Sequence, residues 1–432
     1  MKHIVLCISF ISLLIGSMAS AGSAIKTWNT DNGARVLFVR SDAIPMVDVR
    51  VVFDAGSARD GKLPGLASFT NAMLSEGAGR WDSNSLAEEL EDRGIRLSSG
   101  VMRDMAWISL RTLNDEKNLN FTRYAFSEIL SKPRFEKESF DRVKQQFLTA
   151  IKKSEQSPGN IASREFFEAI YGNHPYAHPT QGTLNSLQLI KHSSLVNFYK
   201  NNYVAKNATI AIVGALNLES AKKLSQSIIS GLPAGKEPPK LQEPRSINTN
   251  KIKFNHPSSQ THIYVGQLGM SRYDADYFPL YVGNQIFGGG SLVSILGDEI
   301  RNKRGLSYSV YSYFRPMRVR GPFLMVAQTK NEKAVEALGV MQRALRKFIE
   351  NGPTEKQLNA AKKNIIGGFP LDIASNGKMV EYISMIGFYE LPIDWLNTLQ
   401  KKIDSVTSDQ VRDAFKRRIK QKNNIVVLVG GK

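Results

Sequence analysis

Leu86-Ala87-Glu88-Glu89-Leu90-Glu91-Asp92-Arg93-Gly94-Ile95-Arg96-Leu97-Ser98 and Leu296-Gly297-Asp298-Glu299-Ile300-Arg301-Asn302-Lys303-Arg304-Gly305-Leu306-Ser307-Tyr308 are two versions of one pattern. Leu86, Glu89 and Leu90 correspond to Leu296, Glu299 and Ile300. Arg93-Gly94-Ile95 then corresponds to Arg304-Gly305-Leu306, with one residue inserted in the second copy. In both, apolar residues recur at helical spacing, a glycine closes the helix and a strand follows. A match over so few residues carries weight only if the surrounding elements repeat as well.

They do. Before the first copy lie strand-like alternation at 34–39 and 46–53 and a helical stretch at 65–74; the copy itself spans a helix at 85–93 and the start of a strand at 96–99. A strand at 105–111 and long helices near 119–132, 137–154 and 161–171 come next. The second copy is preceded by a strand-like 260–266 and a helical 277–287. Between the halves, Gly231-Leu232-Pro233-Ala234-Gly235-Lys236-Glu237-Pro238-Pro239-Lys240 reads as a linker. The fold class expected is α+β. It comprises two homologous domains, 22–230 and 251–432, joined by a linker at 231–250. Each is a mostly antiparallel sheet packed with helices.

Composition bounds the class. The chain has 432 residues, 42% apolar and 22% charged, which is ordinary for a globular protein. Lys2 and His3, an apolar run from Ile4 to Ile15 and Ala19-Ser20-Ala21 read as an export signal over residues 1–21, cleaved after Ala21. No later segment approaches the length of a membrane span, so no integral span is expected. The single cysteine, Cys7, falls within the signal, so a cysteine nucleophile or disulfide is excluded from the rest of the chain. A thiol-free exported chain points to the periplasm. The net charge of +18 permits acidic partners. Nucleic acid is not expected, because the charge is dispersed and no nucleic-acid motif is present. Nucleophile elbows, Walker loops and dinucleotide fingerprints are also missing.

The order and spacing of several stretches resemble the pitrilysin/insulinase-type metallopeptidases, in particular the mitochondrial processing peptidase-like branch. These stretches are Phe53-Asp54-Ala55-Gly56-Ser57-Ala58-Arg59-Asp60 leading to Gly65-Leu66-Ala67, Tyr171-Gly172-Asn173-His174-Pro175-Tyr176-Ala177-His178-Pro179, Asn207-Ala208-Thr209-Ile210-Ala211-Ile212-Val213-Gly214 and Arg301–Val310. The resemblance implies a half-clamshell of two domains. Active members carry His-x-x-Glu-His, two zinc ligands one helical turn apart with a general base beside the second. The matching positions here are Ser68, Asn71 and Ala72, and the third ligand position falls at Thr149 or Ala150. No metal site is therefore expected in this chain, and the resemblance places zinc in a partner. His174 and His178 are four apart, but Pro175 and Pro179 make their segment a turn.

In the relatives an Arg and a Tyr seven residues apart reach over the zinc site, and Arg301 and Tyr308 match them. Tyr308 is then a donor to a developing oxyanion and Arg301 a clamp on substrate carbonyls. The run Gly288-Gly289-Gly290 resembles a flexible substrate-contacting loop of processing-peptidase-like subunits, and reads equally as a helix end followed by a loop. The resemblance implies a non-catalytic, substrate-binding subunit that is inactive alone. Its partner would be a zinc-motif-bearing homologue in a heterodimer that cleaves peptides, which would enter as extended strands. The alternatives are a non-enzymatic scaffold, like the core proteins of respiratory complex III, and a peptide-binding homodimer.

Overall fold

The computed structural model describes residues 24–245 and 251–431. The expected signal segment and residues 246–250 of the expected linker lie outside the described residues.

In the first half β1 (Lys26–Asn29), β2 (Arg35–Arg40) and β3 (Met46–Phe53) lead to helix α1 (Leu66–Met73). A short ladder of β4 (Gly77–Ala78) and β5 (Trp81–Asp82) follows, then α2 (Ser83–Glu91), β6 (Arg96–Val101) and β7 (Ala106–Leu113). Helices α3 (Glu116–Ser131), α4 (Lys137–Ser154), α5 (Pro158–Tyr171), α6 (Leu184–Leu189) and α7 (His192–Asn202) precede β8 (Ala208–Gly214) and α8 (Leu218–Ile229).

The second half contains β9 (Lys251–Phe254), β10 (Gln260–Leu268), α9 (Tyr277–Asn284), β11 (Ser307–Phe314) and β12 (Pro322–Lys330). Helices α10 (Ala334–Asn351), α11 (Glu355–Asp372), α12 (Asn376–Phe388), α13 (Trp395–Asp404) and α14 (Ser408–Arg418) then precede β13 (Ile425–Val429).

The two sheets share a five-strand plan, to which the first adds β1. Their orders are β6-β7-β3-β8-β2-β1 and β11-β12-β10-β13-β9. In each a single pair is parallel, β2 with β8 inside the first sheet and β9 with β13 at the edge of the second, because β1 adds a sixth strand beyond β2 that the second sheet lacks; every other pair is antiparallel. Duplication therefore extends from the quoted motif to the whole sheet plan. At the motif itself, Gly94 and Gly305 both adopt left-handed backbone, φ +62° and +59°, which a side chain at that position would strain.

The inserted residue has a visible consequence. In the first copy Ile95 N–H donates to the Leu90 carbonyl; in the second the equivalent Leu306 N–H donates to Ile300, one residue further back. The turn over Gly297–Asn302 is accordingly a π turn, with Lys303 N–H reaching Asp298 O at 3.0 Å.

The halves exchange helices. Helix α5 of the first half covers the second sheet, setting Phe166, Phe167 and Ile170 against Val326, Ile425 and Val427. Helix α12 of the second half covers the first sheet, setting Val380, Ile383 and Ile386 against Leu37, Val52 and Ala211. Gly387 allows the close approach, since a Cβ there would lie 2.4 Å from Leu37 Cδ1. This covering explains why β8, an almost unbroken apolar run, is buried throughout. The linker is pinned from both sides. Arg59 Nη1 donates to Pro239 O at 2.8 Å, and Arg320 Nη2 to Pro244 O at 2.6 Å. Among the described residues no helix is long and apolar enough to cross a membrane.

Candidate functional site

Arg301 and Tyr308 come together. Arg301 is the penultimate residue of the π turn, and Tyr308 lies on β11, an edge strand of its sheet. The β11–β12 register slips here: Ser307 pairs with Thr329 and Ser309 with Gln328, leaving Tyr308 as the extra residue of a bulge. The buried Ser307 hydroxyl, 2.7 Å from the Ser309 and Gln328 carbonyls, donates to one of them at a time. Thr329 Oγ1 donates to Leu306 O. These bonds hold the bulge and turn Tyr308 outward, where it is 84% exposed, with the Arg301 guanidinium 4.4 Å from its ring centroid. A phenol so placed is a hydrogen-bond donor presented to solvent on a rigid edge. The guanidinium stacked on it keeps its own donors for a second ligand.

The positions that the resemblance matches to the zinc motif, two ligands and the base between them, lie on α1. Ser68 donates to Thr180 O at 2.7 Å. Asn71 is 2% exposed and donates from Nδ2 to Trp107 O at 3.3 Å and to the Tyr203 hydroxyl at 3.2 Å. Ala72 packs on the first core, and Thr149 and Ala150 are exposed on α4. A zinc ion does not fit this donor set: the two polar side chains are committed to hydrogen bonds, and alanine offers no donor atom. Among the described residues no three His, Cys, Asp or Glu side chains are grouped to hold a metal.

Asp60 orders the start of α1. Its carboxylate accepts from Gly65 N–H and Ala67 N–H, each at 2.7 Å, and burial pushes its pKa up to about 8. His178 Nδ1 lies 3.8 Å away, and burial lowers the His178 pKa. His174 is engaged by backbone at both nitrogens, with Tyr176 N–H at 3.1 Å and Gln242 O at 2.9 Å.

Gly288 and Gly289 do not form an open loop. They belong to a π turn over Gln285–Gly289 that prolongs α9, with Gly290 as its cap. Gly288 is buried against Ser312 of β11, where a Cβ would lie 2.3 Å from the hydroxyl oxygen. This run therefore packs against the strand that carries Tyr308. The bulge was not foreseen from sequence, and its only trace there is a serine on each side of Tyr308.

A duplicated α+β scaffold of this plan is the fold of a metallopeptidase, here with Ser68, Asn71 and Ala72 at the positions matched to the zinc motif. The chain belongs to the M16 (insulinase) peptidase family: residues 35–184 match the model for Insulinase (Peptidase family M16), and 190–365 match that for the Peptidase M16 inactive domain. The peptidase M16 inactive domain structure from Pseudomonas fluorescens superposes with a TM-score of 0.92. It is 37% identical over 94% of this chain and 98% of its own. A protease structure from Helicobacter pylori gives a TM-score of 0.87 at 17% identity, covering 94% and 99%. Among curated proteins, the Helicobacter pylori "Non-peptidase homolog YmxG" is 25% identical over 94% of each chain. The Bacillus subtilis "Uncharacterized zinc protease YmxG" is 23% identical over 89% of this chain and 92% of its own.

Proposed function

We propose that this chain is the substrate-binding, transition-state-stabilising subunit of a two-chain zinc peptidase acting on peptides or unfolded segments in the periplasm. The observation that carries the reading is Tyr308, held 84% exposed on a bulged edge strand with Arg301 stacked on it. A scaffold has no use for a bulge that drives a tyrosine into solvent. An oxyanion donor needs one, because the hydroxyl must reach a carbonyl held outside its own domain.

The homologous partner contributes the metal, whose chemistry is to polarise the scissile carbonyl and supply an activated water. This chain contributes the Tyr308 hydroxyl, donating to the oxygen that gains charge, and the Arg301 fork, holding neighbouring peptide carbonyls. Edge strand β11 aligns an extended peptide beside them. A purely structural role is the second reading, favoured by the name of the Helicobacter pylori relative, a non-peptidase homologue.

Turnover of a quenched-fluorescent peptide library decides between them, with zinc present and the mature chain tested alone and mixed with its zinc-motif sibling. The expected result is silence alone and hydrolysis in the mixture, with Tyr308→Phe lowering turnover by about 10² to 10³. Unchanged turnover in that variant removes the assigned role of Tyr308. Silence in the mixture leaves the scaffold reading.

A further inference from the structure

We infer that the first half holds a second site, a cavity beside β6 that binds a peptide carboxylate together with an adjacent N–H. The inference builds on the peptide-binding reading above but concerns different residues.

The cavity, about 790 Å³, opens on the sheet face that α12 covers over β2, β3 and β8. The pleat sets Asp48 opposite Arg111 and Arg50 opposite Ser109, all four lining it. The side chains of Asp48 and Arg50 are only 10% and 7% exposed. Arg111 Nε donates to Asp48 Oδ1 at 2.8 Å. The Arg50 guanidinium lies 3.8 Å from the Trp107 ring centroid, and its Nη1 reaches Glu381 Oε1 at 3.2 Å. Among the described residues, Asp48 Oδ2, Arg50 Nε and Ser109 Oγ are buried with no partner. Orphaned buried polar atoms are costly, and three behind one cavity wall are reachable by a ligand that displaces the Glu381 side chain from Arg50.

The chemistry of that ligand follows from the donors. Arg50 and Arg111 supply guanidinium groups, and the first turn of the 13-residue α12 adds the N–H groups of Asn376 and Gly377, that of Lys378 being capped by Ser375 Oγ. Gly377 lets the two meet, since a Cβ there would lie 2.7 Å from Arg111 Nη2. Glu381, with its side chain 64% exposed, already rests one carboxylate oxygen on Arg50. It marks the place an incoming carboxylate would take. The negative charges of Asp48 and Glu381 disfavour a dianion. The free Asp48 Oδ2 requires an N–H, which a peptide carries beside its terminal or side-chain carboxylate. Burial lowers the Arg50 pKa and raises that of Asp48, so both gain from such partners.

The test is isothermal titration of the whole chain with three N-acetylated pentapeptides of Ala and Ser: one with a free C-terminus, its C-terminal amide, and the amide carrying a central Glu. A peptide with a carboxylate should bind about tenfold tighter than the neutral amide or better. Preference for the free acid identifies the terminus as the source, and preference for the Glu peptide identifies the side chain. Arg111→Gln, at a one-third exposed side chain, should remove the preference. Glu381→Gln should strengthen carboxylate binding, because it removes the internal competitor. Equal binding of all three peptides, or a preference that survives Arg111→Gln, overturns the cavity and leaves the peptide-binding role standing. Binding of none overturns the cavity, and the role of Tyr308 is still judged separately by turnover in the mixture.

Discussion

At the scale of single residues, the helix that carries Ser68, Asn71 and Ala72 starts on one carboxylate, Asp60, which accepts from two of its N-terminal N–H groups. Ser68, Asn71 and Ala72 depart by identity alone from the His-x-x-Glu-His motif that the resemblance sets against them. Nothing in one sequence reveals that Asn71, at the position matched to the general base, turns inward to Trp107 and Tyr203. Asp60 was legible only as part of the family-like stretch, yet it caps α1 with both oxygens. Its carboxyl is raised from the ordinary value of 3.8 to about 8 by burial, which outweighs the two backbone N–H bonds. The folded state thus retains a proton that the unfolded state has released. The stability from this group is fully present below about pH 4 and is lost as pH rises through about 8. Asp60→Asn cannot titrate and keeps an acceptor for one of the two N–H groups. Urea denaturation at pH 5 and pH 8 should show a smaller loss of stability across that interval in the variant than in the parent. An identical slope in both would assign the pH dependence elsewhere.

At the scale of elements, the duplicated motif was readable because glycine closure and helical spacing are local rules, and Gly94 and Gly305 obey them with nearly equal φ. The inserted residue was readable as a count; its physical form, a π turn that leaves Arg301 beside Tyr308, needed the hydrogen-bond ladder. The Gly288–Gly290 run illustrates the opposite case: a loop-like composition is overridden by packing against Ser312. The bulge is held by side chains too ordinary to stand out, Ser307 and Thr329. Ser307→Val removes its hydroxyl while keeping a β-compatible shape, so the fold should persist with a loss of about 1 kcal/mol. Tyr308 would no longer be aimed, and a misplacement of this kind costs about 10- to 100-fold in turnover. Thermal melting and mixed-subunit kinetics on the same preparation separate the two effects. Full activity in Ser307→Val would show that the bulge does not aim the tyrosine.

At the scale of the whole molecule, the element order foretold two similar halves but not their mutual dependence. Linear reading assigns α5 to the first half and α12 to the second, whereas packing assigns each to the other sheet. A trace was present in Ser157-Pro158-Gly159 and Ser375-Asn376-Gly377, the equivalent starts of the two exchanged helices, but contact across the molecule cannot be inferred from such a match. The exchange makes separate unfolding of the halves costly, since losing either sheet strips a helix face from the other. Ile383 tests this, because it belongs to the second half and is fully buried on the first sheet. Ile383→Ala should cost about 2–5 kcal/mol, the usual range for emptying a core isoleucine site. If the exchange couples the halves, that loss should lower amide protection in β3 and in β12 by similar free energies under native-state hydrogen exchange. Weakened protection confined to β2, β3, β8 and α12, with β12 unchanged, would mean that the halves open independently. In that case the exchanged helices would act as a clasp between two separately stable domains.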